Sequence, residues 1–235
     1  RLLRGVGMLL VVFLMMRGPP RSTRCRASAA SDVYKRQANE DIQLLHILSE
    51  AVKQMSEGEL LQIEKSRKLN LEEQVYFEII KNKTASLLSS ACAAGAWSTT
   101  QDKTITEKMK IFGEKTGIAF QIKDDLFDYG NQDIGKPTGN DIKEKKLTLP
   151  LIYTLNKVDK PTKRQIINII KNENKNTSKV KEVIAIVQQT GGISYAEQKI
   201  NAYKLEAFDI LNQFPQGEVR DTLENLVKFT TERKY

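Results

Sequence analysis

The stretch FQIKDDLFDYG, Phe120 to Gly130, sets three aspartates and a glutamine among large apolar residues. Read as a helix, it places Gln121, Asp124 and Asp128 at i, i+3 and i+7, with Asp125 between them, so one face gathers three carboxylates and an amide. Carboxylates spaced this way repel by about 0.2–0.5 kcal/mol on an isolated helix. A multivalent cation against that face would remove the repulsion. Whether the chain offers such a site depends on what flanks the aspartates.

Outward from this stretch the apolar residues keep a period near 3.6, with almost no alternating strands. Ile42, Leu45, Ile47, Leu48, Val52, Met55 and Leu60 mark a helix running to about Lys68. Asn70 can cap a second, LEEQVYFEIIKNKTASLLSSACAAGAW, with Glu72 and Glu73 in its first turn, where the helix dipole favours anions. Its later half is rich in small residues (Ala85, Ser86, Ser89, Ala91, Ala93, Ala94, Gly95) that allow another helix to approach closely. Thr104 or Thr106 starts a third helix that runs into the aspartates. A Gly/Pro/Asn/Asp-dense loop follows, NQDIGKPTGNDIKEKK, and helix resumes at Leu149 with Pro150 in its first turn. Amphipathic segments at 161–173, 178–189, 193–213 and 217–231 complete the chain, broken by Asn174, Gly191-Gly192 and Pro215. The pattern predicts one all-α domain over 38–235.

The formal charge of +8 on 235 residues invites a nucleic-acid or membrane reading, but its distribution removes it. Residues 1–37 hold seven Arg and one Lys against one Asp, a formal +7; the remaining 29 Lys plus Arg face 28 acids. The same boundary divides an Arg/Pro/Ser/Ala vocabulary from one rich in Lys, Asn, Ile and Glu. Residues 1–37 read either as a targeting-like segment, with the apolar run Met8 to Met16, or as translated adaptor sequence. That run is too short to span a bilayer, and 1–37 is set apart from the fold. Two cysteines, Cys25 and Cys92, build no disulfide framework or zinc site, and Cys92 reads as a small buried hydrophobe. A reducing, cytoplasmic compartment fits. His46, the only histidine, reads as an ordinary helix residue.

Three groups carry chemistry: Lys83-Thr84, the Phe120 to Asp128 face, and the loop GKPTGNDIKEKK, Gly135 to Lys146. Gly130 to Lys136, GNQDIGK, has phosphate-loop spacing. Pro137 stands where that motif needs Ser or Thr, however, and a helix precedes it instead of a strand, so a phosphate loop is set aside.

Taken together, Phe120-Gln121, DDLFD, and GKPTGND followed by KLTLP resemble the second aspartate-rich region of all-trans polyprenyl diphosphate synthases. GELLQ at 58–62, Lys83-Thr84 in IIKNKTASL, and Gly191-Gly192 before SYAEQKINAY stand in the family's order. The resemblance implies an isoprenoid synthase-type helical bundle and head-to-tail prenyl transfer, in which an allylic diphosphate ionises with Mg2+ and is attacked by isopentenyl diphosphate. It implies metal binding by Asp124, Asp125 and Asp128, leaving-group neutralisation by Lys83 and Lys136, and orientation by Gln121 and Thr84. Phe120, Asp141 and Lys146 complete the substrate-binding set. It also implies a homodimeric parent.

Full-length members carry a first aspartate-rich motif and an earlier Lys/Arg cluster. Residues 1–37, whose only acid is Asp32, supply neither. The expectation is a bundle lacking its N-terminal helices, weakly active or inactive, with an exposed apolar strip along 42–60 and 76–95. Two other readings stand beside it: a non-catalytic partner subunit of a heteromeric synthase, and a class I terpene cyclase. Retention of Lys83, Gln121, Asp124, Asp128 and Lys136 argues against the first, and the GKPTGND loop against the second.

Overall fold

The computed structural model describes residues 42–68, 72–130 and 138–233, and every element among them is helical. The long helix α1 (Ile42–Lys68) leads to α2 (Glu73–Ile80), which passes through a π-helical turn, Lys81–Ala85, into α3 (Ser86–Thr100). Helix α4 (Lys103–Leu126) ends in a 3₁₀ turn, Phe127–Tyr129. After a single turn, α5 (Asn140–Lys143), come α6 (Leu149–Lys157), α7 (Lys160–Asn172), α8 (Thr177–Gln189), α9 (Gly192–Leu211) and α10 (Glu218–Glu232).

Helix α4 is the axis of the bundle, packed most extensively on α3 and α9. Two glycines of α4 let it approach the π turn and α3 closely. A Cβ on Gly113 would sit 2.6 Å from the Leu88 carbonyl oxygen, and one on Gly117 would sit 2.6 Å from Ala85 Cα. The two backbones are in contact there, and a side chain at either position would force them apart. The main core lies between the C-terminal half of α4 and α6 to α9, built from Ile118, Ile122, Leu126, Ile152, Ile166, Ile170, Val183 and Val187 among others. A smaller cluster joins Cys92 and Phe112 to Ala207, Leu211 and Val227. Cys92 is a buried packing residue, and burial pushes its thiol up to about 12.

Three details depart from the sequence reading. The continuous helix over 71–97 is interrupted where the Ser86 N–H reaches back five residues to the Lys81 carbonyl, widening one turn around Lys83 and Thr84. Helix α4 is started by neither Thr104 nor Thr106, because Asp102 accepts from the Thr104 and Ile105 N–H groups at 2.7 and 3.1 Å. One carboxylate satisfies two orphan donors, which a hydroxyl further along does not do. The apolar strip is confined to α1, where Ile42, Val52, Leu60 and Ile63 are exposed, whereas Tyr76, Ile79, Ile80, Ala93 and Ala94 are buried. At 100° per residue those four α1 positions fall within an arc of about 80°. His46 is exposed on the same helix, and Asn70 lies outside the described residues.

Candidate active site

The C-terminal end of α4 meets α1, the α2–π turn and the 141–148 segment around a cleft of about 160 Å³. Of the sequence-predicted residues, Lys83, Thr84, Gln121, Asp124, Asp125, Asp141 and Lys146 line it. Tyr76, Gln62, Lys65 and Thr148 line it as well. Phe120 and Asp128 stand beside it, and Lys136 lies outside the described residues. A larger cavity, about 460 Å³, lies near the opposite end of α4 against Met109, Leu211, Phe214 and Leu223. Its lining is mainly apolar, and the convergent charged groups belong to the smaller cleft.

The position of Lys83 follows from the motif GELLQ. A Cβ on Gly58 would lie 2.7 Å from the Lys83 backbone nitrogen, so only a glycine lets α1 press against the π turn. One and four residues on, Glu59 and Gln62 reach the Lys83 ammonium, each at 2.6 Å. The π turn and α1 thus hold the lysine at the cleft wall.

The three aspartates of DDLFD occupy three different environments. Asp124 is the exposed one, its side chain 55% accessible, and its Oδ1 accepts from Arg233 Nη2 at 3.1 Å. Asp125 is buried, with Oδ2 accepting from the Tyr76 hydroxyl at 2.8 Å and Oδ1 from Gln121 Nε2 at 2.8 Å. Thr84 Oγ1 donates to Gln121 Oε1 at 2.9 Å, so a chain of donors from two helices fixes the amide and the carboxyl together. Burial pushes Asp125 up to about 7, with the Asp141 charge adding to it and the two side-chain donors offsetting part. The Tyr76 hydroxyl is raised by its own burial and then by the Asp125 charge. Asp128 turns away toward the next segment. Its Oδ1 and Oδ2 accept from the Asn140 and Asp141 N–H groups at 2.7 and 2.9 Å, and its carbonyl accepts from the Gly139 N–H at 3.0 Å. That carboxylate fixes the start of α5 and with it the position of Asp141.

Burial, reinforced by the charge of Asp128, pushes Asp141 up to about 6, against the pull of Lys146 at 3.6 Å. Lys146 also meets Glu144 at 2.6 Å; burial alone would lower its ammonium, but these carboxylates carry it above the usual lysine range. Among the described residues, no group of three or more His, Cys, Asp or Glu side chains forms a ready metal cage. The donor set fits a hard cation that takes one or two carboxylates and completes its shell with water and phosphate oxygens, as Mg2+ does.

Sequence reading missed Tyr76 and Arg233. Tyr76 carried a signal, since it lies seven residues before Lys83 on the same helical face. Arg233, 109 residues from its partner Asp124, carried none.

Comparison with known proteins gives this geometry its context. The sequence profile described as Polyprenyl synthetase matches residues 24–187, beginning inside the arginine-rich segment. Heptaprenyl diphosphate synthase component 2 of Bacillus subtilis is 29% identical over 191 residues, covering 80% of this chain and 54% of that protein. The crystal structure of geranylgeranyl pyrophosphate synthase from Bacteroides thetaiotaomicron superposes with a TM-score of 0.80 and 33% identity, over 87% of this chain and 68% of that one. A polyprenyl synthase from Caulobacter crescentus, solved with calcium and isoprenyl diphosphate, gives 0.79 and 31%, over 86% and 62%. The chain spans about half the length of the curated relatives it matches. With a matching profile over most of its length and the same helical fold in its relatives, the chain belongs to the polyprenyl synthetase family.

Proposed function

We propose that the cleft is the diphosphate-ionising part of a Mg2+-dependent prenyltransferase that joins an allylic prenyl diphosphate to isopentenyl diphosphate, head to tail. The observation that supports this reading is the convergence of Lys83, Thr84, Gln121, Asp124, Asp141 and Lys146, drawn from three separated segments, on one small polar cleft. In the reaction the allylic C–O bond breaks and its electron pair leaves with diphosphate. The isopentenyl double bond then forms the new C–C bond, and a proton departs to the released diphosphate. Bound Mg2+ would supply charge neutralisation at the departing oxygens.

The chain's own residues do the rest. Asp124 offers the accessible carboxylate, with Asp125 and Asp128 supporting it. Asp125 acts through Gln121 and Asp128 through the placement of Asp141. Lys83 and Lys146 present ammonium groups to the cleft and stabilise negative charge growing on the leaving group. Lys136, between Asp128 and Asp141 in the sequence, joins them in this reading. Thr84 orients Gln121, and Phe120 flanks Asp124.

We read the protein as cytoplasmic and the parent enzyme as a homodimer. No helix among the described residues is long and apolar enough to cross a membrane. The exposed α1 stripe of Ile42, Val52, Leu60 and Ile63 gives a second copy an apolar surface to cover. The Bacillus subtilis relative is named as one component of a synthase, so a different polypeptide on that stripe is the other outcome of a sedimentation experiment.

Thermal unfolding with MgCl2 and pyrophosphate, singly and together, tests the site. The pair together should raise Tm more than either alone, and Asp124→Ala should abolish the gain. No joint gain, or an equal gain in the variant, refutes the assignment.

A further inference from the structure

Helix α10 ends at the aspartate face. Arg233, the residue that follows it, lays its guanidinium 4.5 Å from the Phe120 ring centroid and 5.0 Å from that of Phe127, and donates from Nη2 to Asp124 Oδ1. Phe120 and Phe127 lie four residues before and three residues after Asp124, so the rings flank the carboxylate on one face. They form an aromatic seat whose open side is the Asp124 carboxylate. A flat guanidinium can stack on both rings and still present a donor to the carboxylate, which an ammonium does less well.

We propose that Arg233 is a displaceable stopper of the metal-binding face: it holds the accessible carboxylate of Asp124 in the resting chain, and a divalent cation must take that carboxylate from it. The inference rests on the reading of Asp124 as a metal ligand. It goes further in assigning a competitor for that ligand from the far end of the chain.

Three features make the contact displaceable. The ion pair is half open to water on the Asp124 side, so it is individually weak. Arg233 Nε is buried with no hydrogen-bond partner among the described residues, a cost that the seated position carries and a released side chain does not. Lys123, next to Asp124, places a like charge near the guanidinium. The two ring contacts hold the arginine in place against these terms. The outcome is a seat occupied when the face is empty and vacated when a doubly charged ion competes.

The probe is Mn2+, a hard cation that oxygen donors bind much as they bind Mg2+, followed in the full-length chain by the electron paramagnetic resonance of the free ion. Arg233→Met keeps an apolar stem over the rings and removes the donor. It should tighten Mn2+ binding about three- to tenfold, the range expected for loss of one exposed ion pair backed by ring contacts. Arg233→Lys should give part of that gain. Phe127→Leu, which leaves Arg233 but removes one ring, should move affinity the same way and serves if the Met variant does not fold. Lys123→Met removes a nearby positive charge without touching Asp124 and should change affinity less than twofold.

Asp124→Asn separates the two claims. If it abolishes Mn2+ binding while Arg233→Met leaves affinity unchanged or weaker, or if Lys123→Met gains as much as Arg233→Met, the stopper is refuted and the metal site stands. If Asp124→Asn binds Mn2+ as tightly as the unmodified chain, the metal reading itself falls, and the stopper with it.

Discussion

Replacing Tyr76 by Phe removes one oxygen from a site where both partners are buried, Tyr76 at 3% and Asp125 at 8% exposure. The lost bond is the 2.8 Å donation to Asp125 Oδ2, and the space left by a hydroxyl gives water little access. The cost depends on the charge of the acceptor. Above the Asp125 pKa of about 7 the carboxylate is ionised, and stranding one of its oxygens should cost about 1.5–3 kcal/mol. At pH 5 the group is protonated, and the same substitution should cost about 0.5–1.5 kcal/mol, the value of a neutral hydrogen bond. For a domain of this size, about 2 kcal/mol corresponds to a fall in Tm of about 4–8 °C. Urea unfolding of both proteins at pH 5 and pH 8.5 measures the two differences directly. The destabilisation should be larger at pH 8.5 by about 1 kcal/mol or more. Equal losses at the two pH values would mean that Asp125 does not titrate between them, or that Tyr76 does not serve its charge.

Asp125 and Asp141 both have folded-state pKa values, about 7 and about 6, above the ordinary aspartate value of 3.8. The folded chain therefore keeps protons that the unfolded chain releases. Their stabilising effect is fully present below about pH 4 and is lost as pH rises through 6 and 7. Asp125→Asn should flatten the fall in stability between pH 5 and 8 by a few kcal/mol, at about 1.4 kcal/mol per pH unit, and an unchanged slope would refute the burial argument. Gly58→Ala puts a methyl 2.7 Å from the Lys83 nitrogen, and should cost about 1–3 kcal/mol in urea unfolding as α1 is pushed off the π turn. Asp102→Ala removes the cap of α4 and should cost about 1 kcal/mol by the same measure. Limited trypsinolysis should leave a stable product beginning near residue 38; a product beginning near 24, where the family profile starts, would move the domain boundary into the arginine-rich segment.

The helical fold was legible because its signals are local. Period 3.6, the small-residue run of α3 and the breaks at Gly191-Gly192 and Pro215 each act within a few turns, and the elements fall within a few residues of the reading. The cap of α4 and the π turn were misread for a related reason. Asp102 lay before the threonines chosen, and a single widened turn leaves no mark in apolar periodicity. In the cleft, Lys83, Thr84 and Gln121 could be picked out by motif order, but order does not say what each one touches. The pairing of Lys83 with Glu59 and Gln62, the Tyr76 to Asp125 bond, and the Arg233 contact depend on how helices cross, and no local pattern encodes crossing.

The crowding of like charge in DDLFD has a resolution within the protein, before any cation is considered. Three equivalent carboxylates on one face would repel, but the fold makes them inequivalent. Burial pushes Asp125 toward its neutral form, and two side-chain donors fix its position while offsetting part of that push. The charge of Asp128 is spread into backbone N–H groups of the following turn, although burial still raises its pKa. Asp124 alone keeps an accessible carboxylate, and Arg233 balances it. A cation arriving at this face therefore meets one carboxylate ready to bind and two already committed to holding Gln121 and Asp141 where they stand. Removing the committed carboxylates should first be read as loss of shape, in stability and in the placement of Gln121, whereas removing Asp124 should be read first as loss of ion binding with the fold intact. Asp124→Asn and Asp125→Asn, compared by Mn2+ titration and by urea unfolding at pH 5, where Asp125 is neutral and Asn relieves no buried charge, should fail in opposite assays. Loss of ion binding without loss of stability in both would return the three aspartates to a single shared role.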